Sequence, residues 1–356
     1  MAKVTYVGPL PPLPGGISQH GAQLVRALLA DGHDVRTVSW RAQYPRLLYP
    51  GGQVDPDAVP FPGARRTLAW YDPLSWWRAG HAARGDDLLV LPWVTPVQAP
   101  AYRVVVGAAR PTPAVAIVHN PVPHEQRPFD QALTRAVLRR LRGAVVHAEA
   151  SVAALRRIAP GLPVAAVPHP PNLQVAATEL PPAPPYRLLF FGFVRPYKGL
   201  DVAFEALAKV VSKGLDVELV VAGEFWGSIE PWQRQLAALG IARRVRLRAG
   251  YVPDAEVGDL LAASHLVLAP YRHATQSGIV PIAASAGRAV VATAVGGLAE
   301  QVADGVNGVL APPGDADALA AAIERALAAL PALTSGARRM TATWQDVAGL
   351  VVKLAG

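Results

Sequence analysis

Short apolar runs alternate with stretches of helical periodicity along this chain. In the first half the runs predict strands near 3–7, 34–39, 88–92, 114–118, 144–148 and 164–167. Helical spacing predicts helices near 17–30, 130–142 and 151–158. The alternation breaks at ATELPPAPPY, Ala177 to Tyr186, which reads as a proline-rich linker. It then restarts, with strands near 187–191, 217–222, 245–249, 266–269 and 289–292. Helices follow near 201–213, 231–239, 255–263, 277–286 and 315–329. Repeated β–α alternation predicts parallel sheets covered by helices on both faces. The expected architecture is α/β: two Rossmann-like, doubly wound domains facing a cleft, over 1–175 and 176–340. A last helix within 341–356 is expected to pack back on the first domain. Ligands of such sheets bind beyond the carboxyl ends of the strands, so the loops that follow strands are the candidate site.

Composition sharpens this reading at three points. With 356 residues, 51% of them apolar, the chain can fill two cores. It has no cysteine, which excludes disulfides, thiolate nucleophiles and zinc–thiolate centres. The opening KVTYV reads as a buried strand, and no apolar run reaches the roughly 18–20 residues that span a bilayer. The expectation is a cytoplasmic protein. The net charge of +8 is unevenly placed: residues 1–175 hold 18 Lys/Arg against 10 Asp/Glu, whereas the rest hold 16 against 16. A generally basic surface would account for this excess, and so would a partner with anionic groups met by that half alone. Nothing interleaves basic and aromatic residues as a nucleic-acid surface would, so no nucleic acid is expected.

The loop with most chemical content is FFGFVRPYKGLDVAFEAL. A strand stops at Gly192, two cations follow at Arg195 and Lys198, and a helix begins after Gly199. Main-chain N–H groups, the helix dipole and two full charges together favour an anion, with a diphosphate the natural tenant. A second anion-friendly segment, Thr275, Gln276, Ser277 and Gly278, enters a helix after strand 266–269. Gly296 and Gly297 follow the next strand, with Glu300 at the start of the helix beyond. In the first half, Gly15 and Gly16 open a helix after the first strand, but without the G-x-G-x-x-G of a nicotinamide site. His119 sits just past strand 114–118, as a catalytic or a purely structural imidazole. The other histidines show no zinc-like spacing. Of two D-x-D triplets, Asp55/Asp57 lies in a Gly/Pro loop, and Asp315/Asp317 reads more simply as a helix cap. No metal site is expected.

FVRPYKGL, the APY…GIVP…VVAT segment, VGGLAEQVADGVNGVL and LVRALLADGHDV together resemble the retaining glycosyltransferases of family 4, which have the GT-B fold. The likeness is strongest over 187–330 and weakest over 41–115. It implies a nucleoside-diphosphate sugar held mainly by the C-terminal domain and an acceptor held mainly by the N-terminal one. It implies that Arg195 and Lys198 contact the donor diphosphate, that Ser277 and Gly278 add phosphate contacts, and that the loop of Tyr251 and Val252 meets the nucleobase. Gly15 and Gly16 would lie near phosphate and acceptor, and His119 at the cleft floor. No cofactor or metal is required. The family's Glu-x7-Glu motif is missing: its positions fall on Ala274 and Ile282, and TQSG stands in place of EGFG. Thr275, Gln276, Glu224 and Glu300 are the candidate substitutes, and Trp226 a candidate stacking surface.

On the acceptor side, RTLAWYDPLSWWR (residues 66–78) sets four aromatics beside cations, and helix 130–142 carries Arg135, Arg139, Arg140 and Arg142. This combination suits an anionic membrane surface or the phosphate of a lipid-linked acceptor, giving an expectation of peripheral association with the inner face of the membrane. The expected activity is transfer of a sugar to a glycan, glycolipid or small polar acceptor. The alternatives are a non-catalytic nucleotide-sugar-binding or partner subunit, suggested by the missing carboxylates, and a GT-B nucleotide-sugar epimerase.

Overall fold

The computed structural model describes residues 1–45, 54–55, 58–121, 128–339 and 342–356. The chain forms two compact units, Met1–Asn172 with Ala342–Gly356, and Leu173–Thr341.

The first unit is built on a seven-stranded sheet: β1 (Lys3–Val7), β2 (Asp34–Ala42), β3 (Arg65–Ala69), β4 (Leu88–Trp93), β5 (Ala114–Val118), β6 (Gly143–Val146) and β7 (Val164–Ala166). Its order is β3-β2-β1-β4-β5-β6-β7, and every pairing is parallel. β4 and β5 are buried along their whole length, which is why they read as unbroken apolar runs rather than alternating ones. Helices α1 (Gly16–Ala30), α2 (Pro73–Ala82), α3 (Ala99–Ala109), α4 (Asp130–Leu138) and α5 (Glu149–Ile158) complete the crossovers. The C-terminal helix Trp344–Ala355 joins this unit. A capping box between Thr343 and Asp346 starts it, and Trp344, Val347, Ala348 and Val351 bury its inner face against Val4, Val115, Ile117 and Val145. Each of the larger side chains contributes about 1.5–3 kcal/mol of burial, as an upper estimate.

β3, α2 and α3 all fall where sequence patterning predicted only the strand 88–92. Helix α2 shows why. It is started by Asp72, whose carboxylate accepts from the N–H groups of Leu74 and Ser75 at 3.1 and 3.2 Å, with Pro73 at its first position. Yet it buries only Ser75, Ala79 and Gly80. A Cβ on Gly80 would stand 2.2 Å from the Val105 carbonyl oxygen, so α2 approaches α3 backbone to backbone there, with no room for an apolar ridge. A helix seated on small residues leaves no stripe to detect.

The second unit holds a six-stranded sheet: β8 (Tyr186–Phe191), β9 (Val217–Gly223), β10 (Val245–Ala249), β11 (Leu266–Ala269), β12 (Ala289–Thr293) and β13 (Gly308–Ala311). Its order is β10-β9-β8-β11-β12-β13, again all parallel. Around it lie α6 (Leu200–Ser212), α7 (Glu230–Ala238), α8 (Asp254–Ala262), α9 (Ile279–Ser285), α10 (Leu298–Gln301), α11 (Ala316–Ala328) and α12 (Leu330–Ala337). The proline-rich stretch read as a linker is held by this unit. Arg288, 0% exposed, donates to the Thr178 carbonyl at 2.9 Å, the Thr178 hydroxyl at 2.6 Å and the Glu179 carbonyl at 2.9 Å, and also to Leu261 at 2.9 Å. Strand order reverses between β1 and β4 in one sheet and between β8 and β11 in the other. Loops that leave the carboxyl ends of those strands diverge, and a ligand fits between them.

Candidate active site

In the second unit, the two loops at the reversal point are the one after β8, carrying Arg195 and Lys198, and the one after β11, carrying Tyr271 to Gly278. Gly199 joins them. Its φ of 68° lies in the left-handed region, and a Cβ there would stand 2.1 Å from the Pro270 carbonyl oxygen. Arg272 pins the pair: its N–H donates to the Tyr197 carbonyl at 2.7 Å, and its guanidinium to the Pro196 carbonyl at 2.8 Å and to both Asp201 oxygens at 2.9 and 2.5 Å. Burial pushes the Asp201 carboxyl upward, but its bonds and charge pairing with Arg272 outweigh this and leave its pKa lowered.

Arg195 and Lys198 are treated differently. Among the described residues neither has a carboxylate partner. The Arg195 guanidinium lies 4.2 Å from the centre of the Trp226 ring, and Lys198 Nζ lies 5.2 Å from that of Tyr271. Both cations are half-buried and held over aromatic faces. Helix α6 begins just beyond, with no side-chain cap on its first N–H groups. Two cations without a carboxylate partner among the described residues, an uncapped helix start and a strand-order reversal coincide, and such a place favours an anion of high charge density.

The second loop contributes less than its composition suggested. Ser277 is buried, its N–H donates to Gln301 Oε1 at 2.9 Å, and its carbonyl accepts from Gln301 Nε2 at 3.1 Å. Its hydroxyl meets the Tyr271 hydroxyl at 3.2 Å. The Ser277 main-chain donor is therefore already used, while Thr275, Gln276 and Gly278 remain half-buried beside it. Ile282 is 9% exposed in a core with Val252 and Leu261, and Ala274 packs against the same cluster. The two positions lacking carboxylates are thus filled by apolar packing. Glu224 and Glu300 are both exposed, after β9 and in the first turn of α10. Tyr251 is exposed beyond β10, whereas Val252 belongs to the core. Asp315 caps α11 through the Ala318 N–H at 2.9 Å, and Asp317 pairs with Lys209 at 2.7 Å. Asp57 lies outside the described residues.

In the first unit, Gly15 (φ 96°) and Gly16 are exposed at the start of α1, which also has no side-chain cap. His119 follows β5 but is only 3% exposed. It lies in a cluster that sequence spacing did not reveal: His20 from α1, His147 just after β6 and His169 beyond β7 converge on it. Ring centres lie 4.5 Å apart for His20 and His119, 4.9 Å for His20 and His147, and 4.7 Å for His147 and His169. Burial, then the His169 imidazole, push His119 down to about 3. Burial pushes His169 to about 4 against two backbone hydrogen bonds that act upward, and it holds His20 and His147 well below the ordinary value. All four rings are neutral at physiological pH. Intervals from 20 to 119 to 147 to 169 are too long to read as a ligand motif, so only folding could show them together.

The surface features also resolve. Trp70, Tyr71, Leu74 and Trp77 are exposed along the β3–α2 region, while Trp76 turns inward and donates to the Ala69 carbonyl at 2.7 Å. The four arginines of 130–142 do not form one free row. Arg135 donates to the Ile158 carbonyl at 2.7 Å, Arg140 to that of Ala136 at 2.7 Å, and Arg142 reaches the Gly356 carbonyl at 3.5 Å. No single helix among the described residues is long and apolar enough to cross a membrane.

Residues 185–329 match the family model described as glycosyl transferases group 1. The phosphatidyl-myo-inositol mannosyltransferase of Mycolicibacterium smegmatis is 28% identical over 323 residues, covering 87% of this chain and 81% of that protein. The D-inositol 3-phosphate glycosyltransferase of Geodermatophilus obscurus is 40% identical over 165 residues, 43% of this chain and 35% of that protein. Among solved structures, the sucrose-phosphate synthase of Thermosynechococcus elongatus superposes with a TM-score of 0.77 at 19% identity, covering 99% of this chain and 98% of that one. Anabaena HepE in complex with UDP and glucose gives 0.70 at 18% identity, covering 100% of this chain and 97% of that one. Both structural matches are matches of fold. The chain is a glycosyltransferase of the GT-B fold, and its group 1 match lies in residues 185–329.

Proposed function

We propose that the chain is a retaining glycosyltransferase that moves a hexose-type sugar from a nucleoside-diphosphate donor to a polar acceptor, carbohydrate or lipid-linked. The observation that carries this reading is the pair Arg195 and Lys198, uncompensated at the β8/β11 reversal beside the start of α6. As the anomeric C–O bond breaks, its electron pair passes to the β-phosphate, and charge grows where both cations can neutralise it. The acceptor hydroxyl forms the new bond on the same face of the sugar, and its proton passes to the leaving phosphate oxygen. The products are the glycosylated acceptor and the nucleoside diphosphate. The chain supplies positioning and electrostatics, and the proposal calls on no protein nucleophile, cofactor or metal.

Tyr251, Thr275, Gln276, Gly278 and Glu300 are proposed to shape the remainder of the donor pocket, with the Gly15–Gly16 turn near the acceptor. With Ala274 and Ile282 packed as apolar groups, the sugar hydroxyls are proposed to be held by Thr275, Gln276, Glu300 or main-chain groups rather than by carboxylates at those two positions. A phosphorylated or lipid-linked polyol as acceptor is supported by the named activities of the two relatives and by the basic N-terminal half. The exposed aromatics Trp70, Tyr71 and Trp77 are proposed to seat the first unit on an anionic bilayer, with the arginines of 130–142 contributing little. Flotation with anionic vesicles at low salt should carry the protein upward. Equal recovery with neutral vesicles removes the anionic preference, and no flotation with either ends the membrane reading.

The decisive experiment offers UDP-, GDP- and ADP-sugars to the purified chain with inositol-type and lipid-linked acceptors. Nucleotide release and thermal shift are followed. One donor should stabilise and turn over, with the anomeric configuration kept by NMR. Inversion removes the retaining assignment, and no response to any nucleotide removes the donor site.

A further inference from the structure

We propose that His20, His147 and His169 form a binding site for a first-row divalent cation of imidazole preference, zinc above all, at the carboxyl edge of the first sheet. The three side chains are 1%, 5% and 6% exposed, and one ring nitrogen of each lies within 4.8 Å of those of the other two. Their hydrogen bonds fix which nitrogens carry lone pairs. His147 Nδ1 stands 3.0 Å from the Val167 carbonyl and His169 Nδ1 2.5 Å from the Pro170 carbonyl. A carbonyl only accepts, so both Nδ1 atoms carry protons and both Nε2 atoms are left as bases. An imidazole whose far nitrogen donates to a backbone carbonyl is the usual arrangement of a metal-ligating histidine.

His20 Nε2 lies 2.7 Å from His147 Nε2, so in the metal-free chain it donates a proton to that base. Ligation needs His20 in its other tautomer. The Nε2 proton moves to Nδ1, the N–H···N bond is lost, and two bonds to the ion replace it, with all three rings still neutral. Zinc–nitrogen bonds of about 2.0–2.1 Å at a tetrahedral angle separate ligand nitrogens by roughly 3.3 Å. The His20–His147 pair must therefore open slightly and His169 approach. A second observation points the same way: His119 Nε2, buried against the His20 ring, has no hydrogen-bond partner among the described residues. It is placed to serve as a fourth ligand or to bond a metal-held water.

The donor set selects the ion. Neutral nitrogen donors suit zinc, nickel or copper, whereas magnesium and calcium want oxygen ligands, and the chain has no cysteine for a thiolate site. The ion would be structural. It would tie α1 to the ends of β6 and β7, and Trp344 of the C-terminal helix packs edge-on against His20 at 4.6 Å between ring centres. The site uses none of the groups that hold the donor diphosphate, so it stands or falls separately from the proposed reaction.

The test uses the full chain without a histidine tag, stripped with EDTA and desalted. After incubation with Zn2+ and a second desalting, elemental analysis should find about one zinc per chain. Co2+ should give the visible absorption of a tetrahedral site. Zn2+ should raise the thermal midpoint relative to EDTA. His147→Gln and His169→Gln should each weaken binding at least about tenfold, the smallest loss expected even from a disturbed outer partner. Circular dichroism in EDTA confirms that these variants fold, and exposed His81→Gln should bind as the parent does. Substoichiometric zinc in the parent, or uptake unchanged in both cluster variants, overturns the proposal and leaves the cluster as neutral hydrogen-bonded packing.

Discussion

The carboxyl edges of the two sheets solve opposite electrostatic problems. At the edge of the second sheet, Arg195 and Lys198 have no carboxylate partner among the described residues, and two aromatic faces hold them in place. At the edge of the first sheet, four histidines have given up charge altogether, because burial penalises the imidazolium form. The second edge is poised for an anion. The first is poised to donate lone pairs. The same architectural position, loops beyond parallel strands, thus presents half-buried cations in one unit and buried imidazoles in the other.

The largest effect should come from discharging the second edge. Replacing Arg195 and Lys198 together with Ala should lower nucleotide release by at least about 100-fold and remove donor-induced thermal stabilisation. Retention of both signals would break the comparison at its root. Next is Arg288→Met, which removes a buried cation from six carbonyls and a hydroxyl while leaving the loops after β8 and β11 in place. A loss of roughly 3 kcal/mol is expected in urea unfolding of the second unit, with the transition of the first unit unmoved. A smaller loss, about 2 kcal/mol, is expected for Gly199→Ala, from the left-handed φ and the contact with the Pro270 carbonyl. Donor affinity should fall with it, since this glycine lets the two loops meet.

Trp226→Ala should be milder, because it frees Arg195 without discharging it. A cation–π contact worth about 0.5–1 kcal/mol predicts a two- to fivefold rise in donor Kd, with kcat nearly kept. A fall in kcat alone would argue against Trp226 as the holder of Arg195. Smallest is the acid response of the Arg272–Asp201 clamp. The Asp201 pKa is lowered in the folded chain, so its contribution is fully present above the ordinary value of 3.8 and is lost as pH falls through and below it. Asp201→Asn should remove that part of the acid sensitivity in a pH series of melting curves.

Much of the fold was legible because parallel strands buried on both faces leave unbroken apolar runs, as β4, β5 and β11 do. The cation loop after β8 was legible because cations, glycine and a helix start are contiguous from Gly192 to Leu200. Helix α2 was not, since it seats on α3 through Gly80 and small residues that leave no stripe. Ser277 looked like a phosphate donor because sequence cannot show that Gln301, far along the chain, has taken its N–H. The proline-rich stretch looked like a free linker because the arginine that holds it comes more than a hundred residues later.

The sequence by itself determined the βα alternation, the two sheets and the contiguous cation loop, all local patterns of polarity and turn chemistry. Tertiary structure alone decided which charges stay uncompensated and which polar atoms are already engaged. It alone brought residues 20, 119, 147 and 169 into one buried cluster. The physical reason is range: periodicity acts over a few residues, whereas charge pairing, burial and ligand geometry depend on neighbours that only folding supplies.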